Sequence, residues 1–322
     1  MSAKPTLSVV TTMYQSAPYL EEFHRRVSAA ARALAGESYE LVLVNDGSPD
    51  DSLALALRLH HADRQVRVLD LSRNFGHHRA IMTGLAAARG DLVFLIDCDL
   101  EEQPEDLPRF HAELGATGAD AVFGVRTRRE GGAFERLSGG AFYRVFNLLS
   151  PQPVVPDQVI ARLMTRRYVQ ALVAHRDREI FLGGLCALAG FKQVALPVQK
   201  LHKGKTTYTL DRRIAAFVNA VTSFSAKPLV YVFYLGCFIL LGSATAATYL
   251  VVRRLFFGVM FPGWPSLIVA VCFFGGLTVF CLGLIGIYLA KIFSEVKERP
   301  YTIVRATYEH ASGDGAKERS GA

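Results

Sequence analysis

Asp97-Cys98-Asp99 closes the apolar run LVFLI and is followed by Leu100, Glu101 and Glu102. In an extended chain residues i and i+2 share a face, so both aspartates can look into one site while Cys98 faces away as a small packing residue. Two adjacent carboxylates repel each other unless a cation lies between them. Their hard oxygens suit Mg²⁺ or Mn²⁺, ions that usually also hold phosphate oxygens. A bare pair of this kind is as readily a pair of turn or cap aspartates. Its position at a strand end, with Glu101 two residues on, favours the metal. Asn45-Asp46-Gly47-Ser48 closes a second apolar run. There Asp46 could accept hydrogen bonds from a base or ribose, and Gly47 could admit a close backbone, but alone the segment reads as an Asx-type turn. Ser72–Gly76 (SRNFG) is equally open, and His77 and His78 could be ligands but read more readily as the solvated first turn of a helix. Arg126, Arg128, Arg129, Arg136, Arg162, Lys203 and Lys205 form a basic set. Part of it reads as a positive rim, while at least two members suit an anionic headgroup, because Arg binds phosphate bidentately.

These clusters need elements to position them. Leu7–Thr12, Glu40–Val44, Val66–Leu71, Leu92–Ile96 and Ala121–Val125 read as strands. Pro18–Leu34, His77–Ala88 and Pro104–Leu114 read as helices, and Asp50 or Asp51 is available as a helix cap. Strands alternating with helices predict a parallel α/β sheet with its chemistry at the strands' C-terminal ends. TTMYQS, NDGSPDD, SRNFG and DCDLEE all fall at such ends. Beyond Val125 the pattern changes to a basic, glycine-containing stretch (126–136) and an apolar-faced helix (Leu137–Leu149).

The chain has 322 residues, 51% hydrophobic and 20% charged, with a net charge of +7. That excludes a disordered or acidic solvating protein, and the basic balance suits a membrane surface or a phosphate-bearing substrate. The surplus of apolar residues lies near the C-terminus. Leu229–Val252 carries no charge and would be about 36 Å long as a helix, enough for a hydrocarbon core of roughly 30 Å. Ser266–Ala290 is a second such run. Pro262, Trp264 and Pro265 lie in the connecting loop with Arg253 and Arg254, whereas Arg212, Arg213, Lys227, Lys291, Lys297, Arg299 and Arg305 flank the hairpin. The bias places the N-terminal domain and the tail in the cytoplasm, at the inner membrane. The first residues have no signal-peptide core, and the five cysteines show no CxxC. The expected divisions are a soluble domain over 1–210, an amphipathic juxtamembrane helix over 211–227, a two-helix hairpin over 228–291 and a tail over 292–322, disordered at its end.

Taken together, LVLVNDGSPDDS, SRNFGHHRAIMTGLAAARGD, LIDCDLEEQPE, GVRTRRE, ARLMTRR, GKTTY and the C-terminal IGIYLAKIFSEVKERPYTIV resemble family-2 glycosyltransferases. The likeness, from about Leu7 to Val304, is to the polyprenyl-phosphate sugar transferases within that family. It implies a GT-A fold, a Rossmann-like sheet domain, followed by a two-helix transmembrane hairpin. It also implies a nucleotide-sugar donor, UDP-linked in a bacterial setting, a divalent metal (Mg²⁺ or Mn²⁺) and a polyprenyl phosphate acceptor. By the same resemblance Thr12, Tyr14, Asp46, Gly47, Asn74, Asp97 and Cys98 would face the donor. Asp97, Asp99 and Glu101 would hold the metal, Glu101 standing where many relatives have Gln. Arg126, Arg136, Arg162 and Lys205 would receive the acceptor phosphate, with Arg162 catalytic beside the two aspartates. Homo-oligomers are a further expectation from the family.

The sequence also departs from the family pattern. Thr12 and Gln15-Ser16 replace the Pro and Asn-Glu of the first loop, and Thr206-Thr207-Tyr208 replaces an SKY-type segment. Ile160 stands where relatives often have an Asp proposed as catalytic base, with Asp157 nearby but out of register. A processive polysaccharide synthase would carry a QxxRW segment, yet the one Trp is Trp264. A non-catalytic scaffold of transferase fold predicts loss of the acidic residues, which are present. Nucleic-acid binding has only the positive charge behind it.

Overall fold

The computed structural model describes residues 4–127, 155–178, 180–201, 222, 225–257, 263–310 and 316–320. The chain divides into two units, one comprising 1–143, 154–207 and 299–322, the other 144–153 and 208–298.

In the first unit, β1 (Leu7–Met13), β2 (Tyr39–Asn45) and β3 (Val66–Leu71) are buried at every position. Strands covered on both faces are the mark of a parallel core. β4 (Leu92–Leu95) pairs with β1, and the order β4-β1-β2-β3 is parallel throughout. Between the strands run α1 (Ala17–Ala35), α2 (Ser52–Ala62) and α3 (His77–Ala87). α1 turns Leu20, Phe23, Val27 and Ala31 inward at helical spacing. After β4 a short 3₁₀ turn (Pro104–Asp106) leads into α4 (Leu107–Thr117), whose Phe110 ring lies 5.6 Å from that of Phe94. α4 ends on Gly118 in the left-handed conformation, a common helix stop.

The expected parallel α/β sheet is present at the centre, but the sheet as a whole is mixed, with nine strands among the described residues. β5 (Ala121–Arg126) does not lie beside β4. β6 (Gln158–Thr165) inserts between them, antiparallel to both. Then come α5 (Arg166–Ala174), α6 (Leu182–Leu188) and β7 (Gln193–Val198), which runs parallel to β5 on its outer side. At the other edge β8 (Val304–His310) adds antiparallel to β3, and β9 (Ala316–Ser320) pairs antiparallel with β8. The polarity of the last residues suggests a disordered end, yet an edge strand needs only backbone partners and tolerates polar side chains.

The second unit contains α7 (Lys227–Phe257) and α8 (Trp264–Val296), within which Lys227–Ala246 and Phe273–Val296 are apolar enough to cross a membrane. Phe238, Leu240, Phe256 and Val279 are each about 70% exposed or more, the kind of exposed apolar surface that marks a membrane or partner contact. α7 is longer than its apolar run, so Arg253 and Arg254 belong to the helix rather than to the connection. The expected juxtamembrane helix over 211–227 lies almost wholly outside the described residues, as does Leu137–Leu149.

Candidate active site

Because β1–β4 are parallel, their C-terminal ends bring TTMYQS, NDG, SRNFG and DCDLEE to one end of the sheet. A cavity of about 240 Å³ opens there, lined by Thr12, Tyr14, Asp46, Asn74, Asp97, Cys98 and Asp99 among others. Six of the seven residues expected to face a donor therefore converge. Gly47, the seventh, does not line the cavity.

The loops around the cavity are held by side chains that read in the sequence as turn formers. Asp46 is buried, and its two carboxylate oxygens accept the backbone N–H groups of Phe75 (2.7 Å) and Gly76 (3.0 Å). Its carboxylate thus fixes the SRNFG loop while the residue also lines the cavity. Gly47 has φ +60°, and a Cβ there would sit 2.4 Å from backbone atoms of Arg73 and Asn74. The close approach it permits is that of the neighbouring loop. Asn45 donates to Asp70 Oδ1 (2.8 Å), whose other oxygen accepts from Arg305 of β8 (2.7 Å). Asp50, rather than Asp51, gathers the N-termini of two helices. It accepts the hydroxyls of Ser48 (2.5 Å) and Ser52 (2.6 Å) and the N–H groups of Ala17 (3.2 Å) and Ser52 (3.2 Å). Burial opposes its charge, but these donors outweigh it and bring its pKa down to about 2.

At the end of β4, burial and the neighbouring Asp99 push the Asp97 carboxyl up to about 7. Cys98 points back into β1, donating to the Thr12 carbonyl (3.0 Å), and burial pushes its thiol up to about 12. It is a packing residue, as its position between the two aspartates requires. Asp99 Oδ1 accepts the Glu101 N–H (2.9 Å). The Glu101 carboxylate faces Lys200 Nζ at 3.1 Å rather than the aspartates. Among the described residues no three His, Cys, Asp or Glu side chains stand arranged to hold an ion. The donor set nevertheless fits a hard divalent cation. Two adjacent carboxylates, one already strained toward its protonated form, are the share that Mg²⁺ or Mn²⁺ commonly takes from protein, the rest coming from water and phosphate.

Three residues of the site escaped the sequence reading. His77 opens α3 with its side chain 44% exposed, as expected of a first-turn histidine, yet its Nδ1 lies 3.0 Å from Thr12 Oγ1 and its Nε2 3.5 Å from Asp97 Oδ1. Desolvation lowers its pKa against the opposing pull of Asp46 and Asp99. Its place beside the switch from β3 to α3 was the available signal. Glu102 is buried, accepts the Ile160 N–H at 2.8 Å, and is pushed up to about 8 by burial and by Asp97. Ile160 is thus tied through its backbone to the Glu102 carboxyl. Lys200, just after β7, had no local signal at all.

The basic residues expected to meet the acceptor divide differently. Arg162 is 4% exposed; its guanidinium donates to the carbonyls of Ile160 and Val159 (both 3.1 Å) and to Cys186 Sγ (2.8 Å). It is committed inside the domain, within Ala161–Met164, which are buried at every position, and it does not line the cavity. Arg126 ends β5, its N–H donating to the Asp157 carbonyl (3.0 Å). Arg128, Arg129, Arg136, Lys203 and Lys205 lie outside the described residues.

A mixed α/β sheet that collects a carboxylate pair and a loop-walled cavity at the ends of its parallel strands is the GT-A arrangement of a glycosyltransferase. The chain belongs to glycosyl transferase family 2, whose model matches residues 8–170. A Mycobacterium tuberculosis (strain CDC 1551 / Oshkosh) protein named among glycosyltransferases is 51% identical over 94% of this chain and 88% of its own length. The uncharacterized glycosyltransferase YkcC of Bacillus subtilis (strain 168) is 32% identical over 96% of both chains. Among solved structures, the mannosyltransferase PcManGT from Pyrobaculum calidifontis, in complex with GDP-Man and Mn²⁺, aligns with a TM-score of 0.49 at 17% identity, over 92% of this chain and 88% of that one.

Proposed function

We propose that the protein transfers a sugar from a nucleotide-sugar donor, UDP-linked by preference, to a polyprenyl phosphate at the cytoplasmic face of the inner membrane. The observation that carries this reading is the Asp97–Asp99 pair at the mouth of a cavity walled by Thr12, Tyr14 and Asn74, in a chain that also has two exposed apolar helices. Asp97 and Asp99 would hold Mg²⁺ or Mn²⁺, which when bound neutralises the leaving diphosphate. Asp46, by fixing residues 75 and 76, keeps Asn74 and the N-terminus of α3 in place around the donor. Tyr14, 48% exposed at the cavity rim, offers an aromatic face to a base.

An acceptor phosphate oxygen attacks the anomeric carbon, the bond from that carbon to the diphosphate breaks, and the nucleoside diphosphate leaves with the electron pair. The configuration inverts in this single displacement. A phosphate acceptor is already ionised at neutral pH, so no general base is needed, which accords with Ile160 in place of an acidic residue. Arg126 and the basic residues 128, 129, 136 and 205 are the proposed acceptor contacts.

Topology supports the membrane placement. The chain leaves the first unit before α7 and returns to its sheet as β8. A chain that re-enters the same sheet crosses a bilayer an even number of times, as a two-helix hairpin does. Turnover of a UDP-hexose panel with undecaprenyl phosphate, set against undecaprenol, tests the reading. Transfer is expected to the phosphate alone, and to be lost by at least about a hundredfold in Asp99→Asn; near-normal turnover of that variant refutes the assigned role of the pair.

A further inference from the structure

β7 runs parallel to β5, which is itself parallel to β4. Its exit therefore delivers Lys200 to the same end of the sheet as DCDLEE, although 99 residues separate Lys200 from Glu101 in the sequence. The delivery is anchored: the Leu201 N–H donates to the Glu101 carbonyl (2.8 Å), and the Lys200 ammonium faces Glu101 Oε2 at 3.1 Å. Both side chains are largely buried, 17% and 22% exposed. Burial opposes the charge of Lys200, but Glu102, Glu101 and Asp97 outweigh it, so its pKa is raised and the ammonium persists. Four carboxyl groups lie within the six residues from Asp97 to Glu102. Lys200 pairs with one of them, Glu101.

Resting on the metal-assisted transfer proposed above, we propose that Lys200 is a resident counter-cation of the donor site. Before the divalent ion enters, its ammonium neutralises the carboxylate cluster; once the ion is bound, Lys200 is released from that task and its charge meets the donor diphosphate. A like charge this close opposes ion binding and favours diphosphate binding, so the two effects of removing it have opposite signs. A lysine serving only to hold the loop after β7 would, when lost, weaken both together.

The test is Mn²⁺ titration followed by electron paramagnetic resonance on the full-length protein in detergent, with UDP binding measured in parallel at saturating Mn²⁺. Lys200→Met is expected to bind Mn²⁺ about tenfold more tightly without nucleotide, ~1.4 kcal/mol, and UDP about tenfold less tightly. Lys200→Arg, which keeps the charge, is expected to restore both. Unchanged Mn²⁺ affinity in Lys200→Met, or a loss of both affinities, overturns the proposal. Failure of the underlying reading is a different result: no Mn²⁺ bound by the wild type with or without UDP, or equal binding by Asp99→Asn.

Discussion

Replacing Gly47 by alanine puts a methyl group where the NDG turn meets the SRNFG loop. Two costs can be separated. The first is conformational: at φ +60° a non-glycine residue costs about 1–2 kcal/mol. The second is steric: the new Cβ would lie 2.4 Å from Arg73 C and Asn74 N, about 1 Å inside the shortest ordinary contact, and both atoms are backbone. Overpacking of this kind costs typically 1–3 kcal/mol, so the total is about 2–5 kcal/mol. Gly118 supplies the control, because its φ of +59° is nearly the same and nothing lies within 4 Å of its Cβ position. Gly118→Ala therefore shows the conformational cost alone, about 1–2 kcal/mol. For a domain of this size the melting temperature moves roughly 2–4 °C per kcal/mol. Differential scanning fluorimetry in detergent should then show a shift of roughly 2–8 °C for Gly118→Ala and a clearly larger one for Gly47→Ala. The second variant should also bind UDP more weakly, because the loop that moves carries Asn74 and the amides held by Asp46. Equal shifts for the two variants, or intact UDP binding in Gly47→Ala, would refute the close-approach explanation.

Asp50 yields a pH prediction. Its pKa in the folded chain is about 2 against 3.8 ordinarily, so its ionised form contributes stability that is fully present above about pH 4 and lost as pH falls through 2. Asp50→Asn should accordingly be destabilised at pH 7, and the deficit in chemical-denaturation midpoint should shrink between pH 4 and 2; a pH-independent deficit would contradict the charge-assisted role. Arg162→Ala should unfold the domain more easily, by about 3 kcal/mol, because three acceptors inside the protein lose their donor. Unchanged stability with a raised acceptor KM alone would return Arg162 to the acceptor site.

The parallel core was legible because β1–β3 are short runs rich in apolar and β-branched residues, each followed by a polar cluster, and that local pattern needs no tertiary information. Asp97 and Asp99 were legible for the same reason: strand alternation alone puts them on one face. The flanks were not. β6 and β7 are shorter on apolar signal, and their pairing depends on contacts between residues far apart in sequence, so the insertion of β6 beside β4 leaves no local trace. Lys200 and Glu102 became site residues only through that pairing. Asp46 and Gly47 are legible as a turn with a close approach, but a turn signature shows that a backbone comes close without showing which one. His77 opens a helix, where an imidazole is normally solvated, and only the fold brings Thr12 and Asp97 beside it.

The most direct test of the transfer itself is mass spectrometry of the lipid extract after purified protein is incubated with undecaprenyl phosphate, Mn²⁺ and a panel of nucleotide sugars. An Asp97→Ala/Asp99→Ala double variant serves as control. The expected result is one new glycosyl-phosphoryl-undecaprenol, made by the wild type and absent with the variant, whose mass names the sugar. The contradicting result is no lipid product with any donor from a folded wild type, or the same product from both proteins.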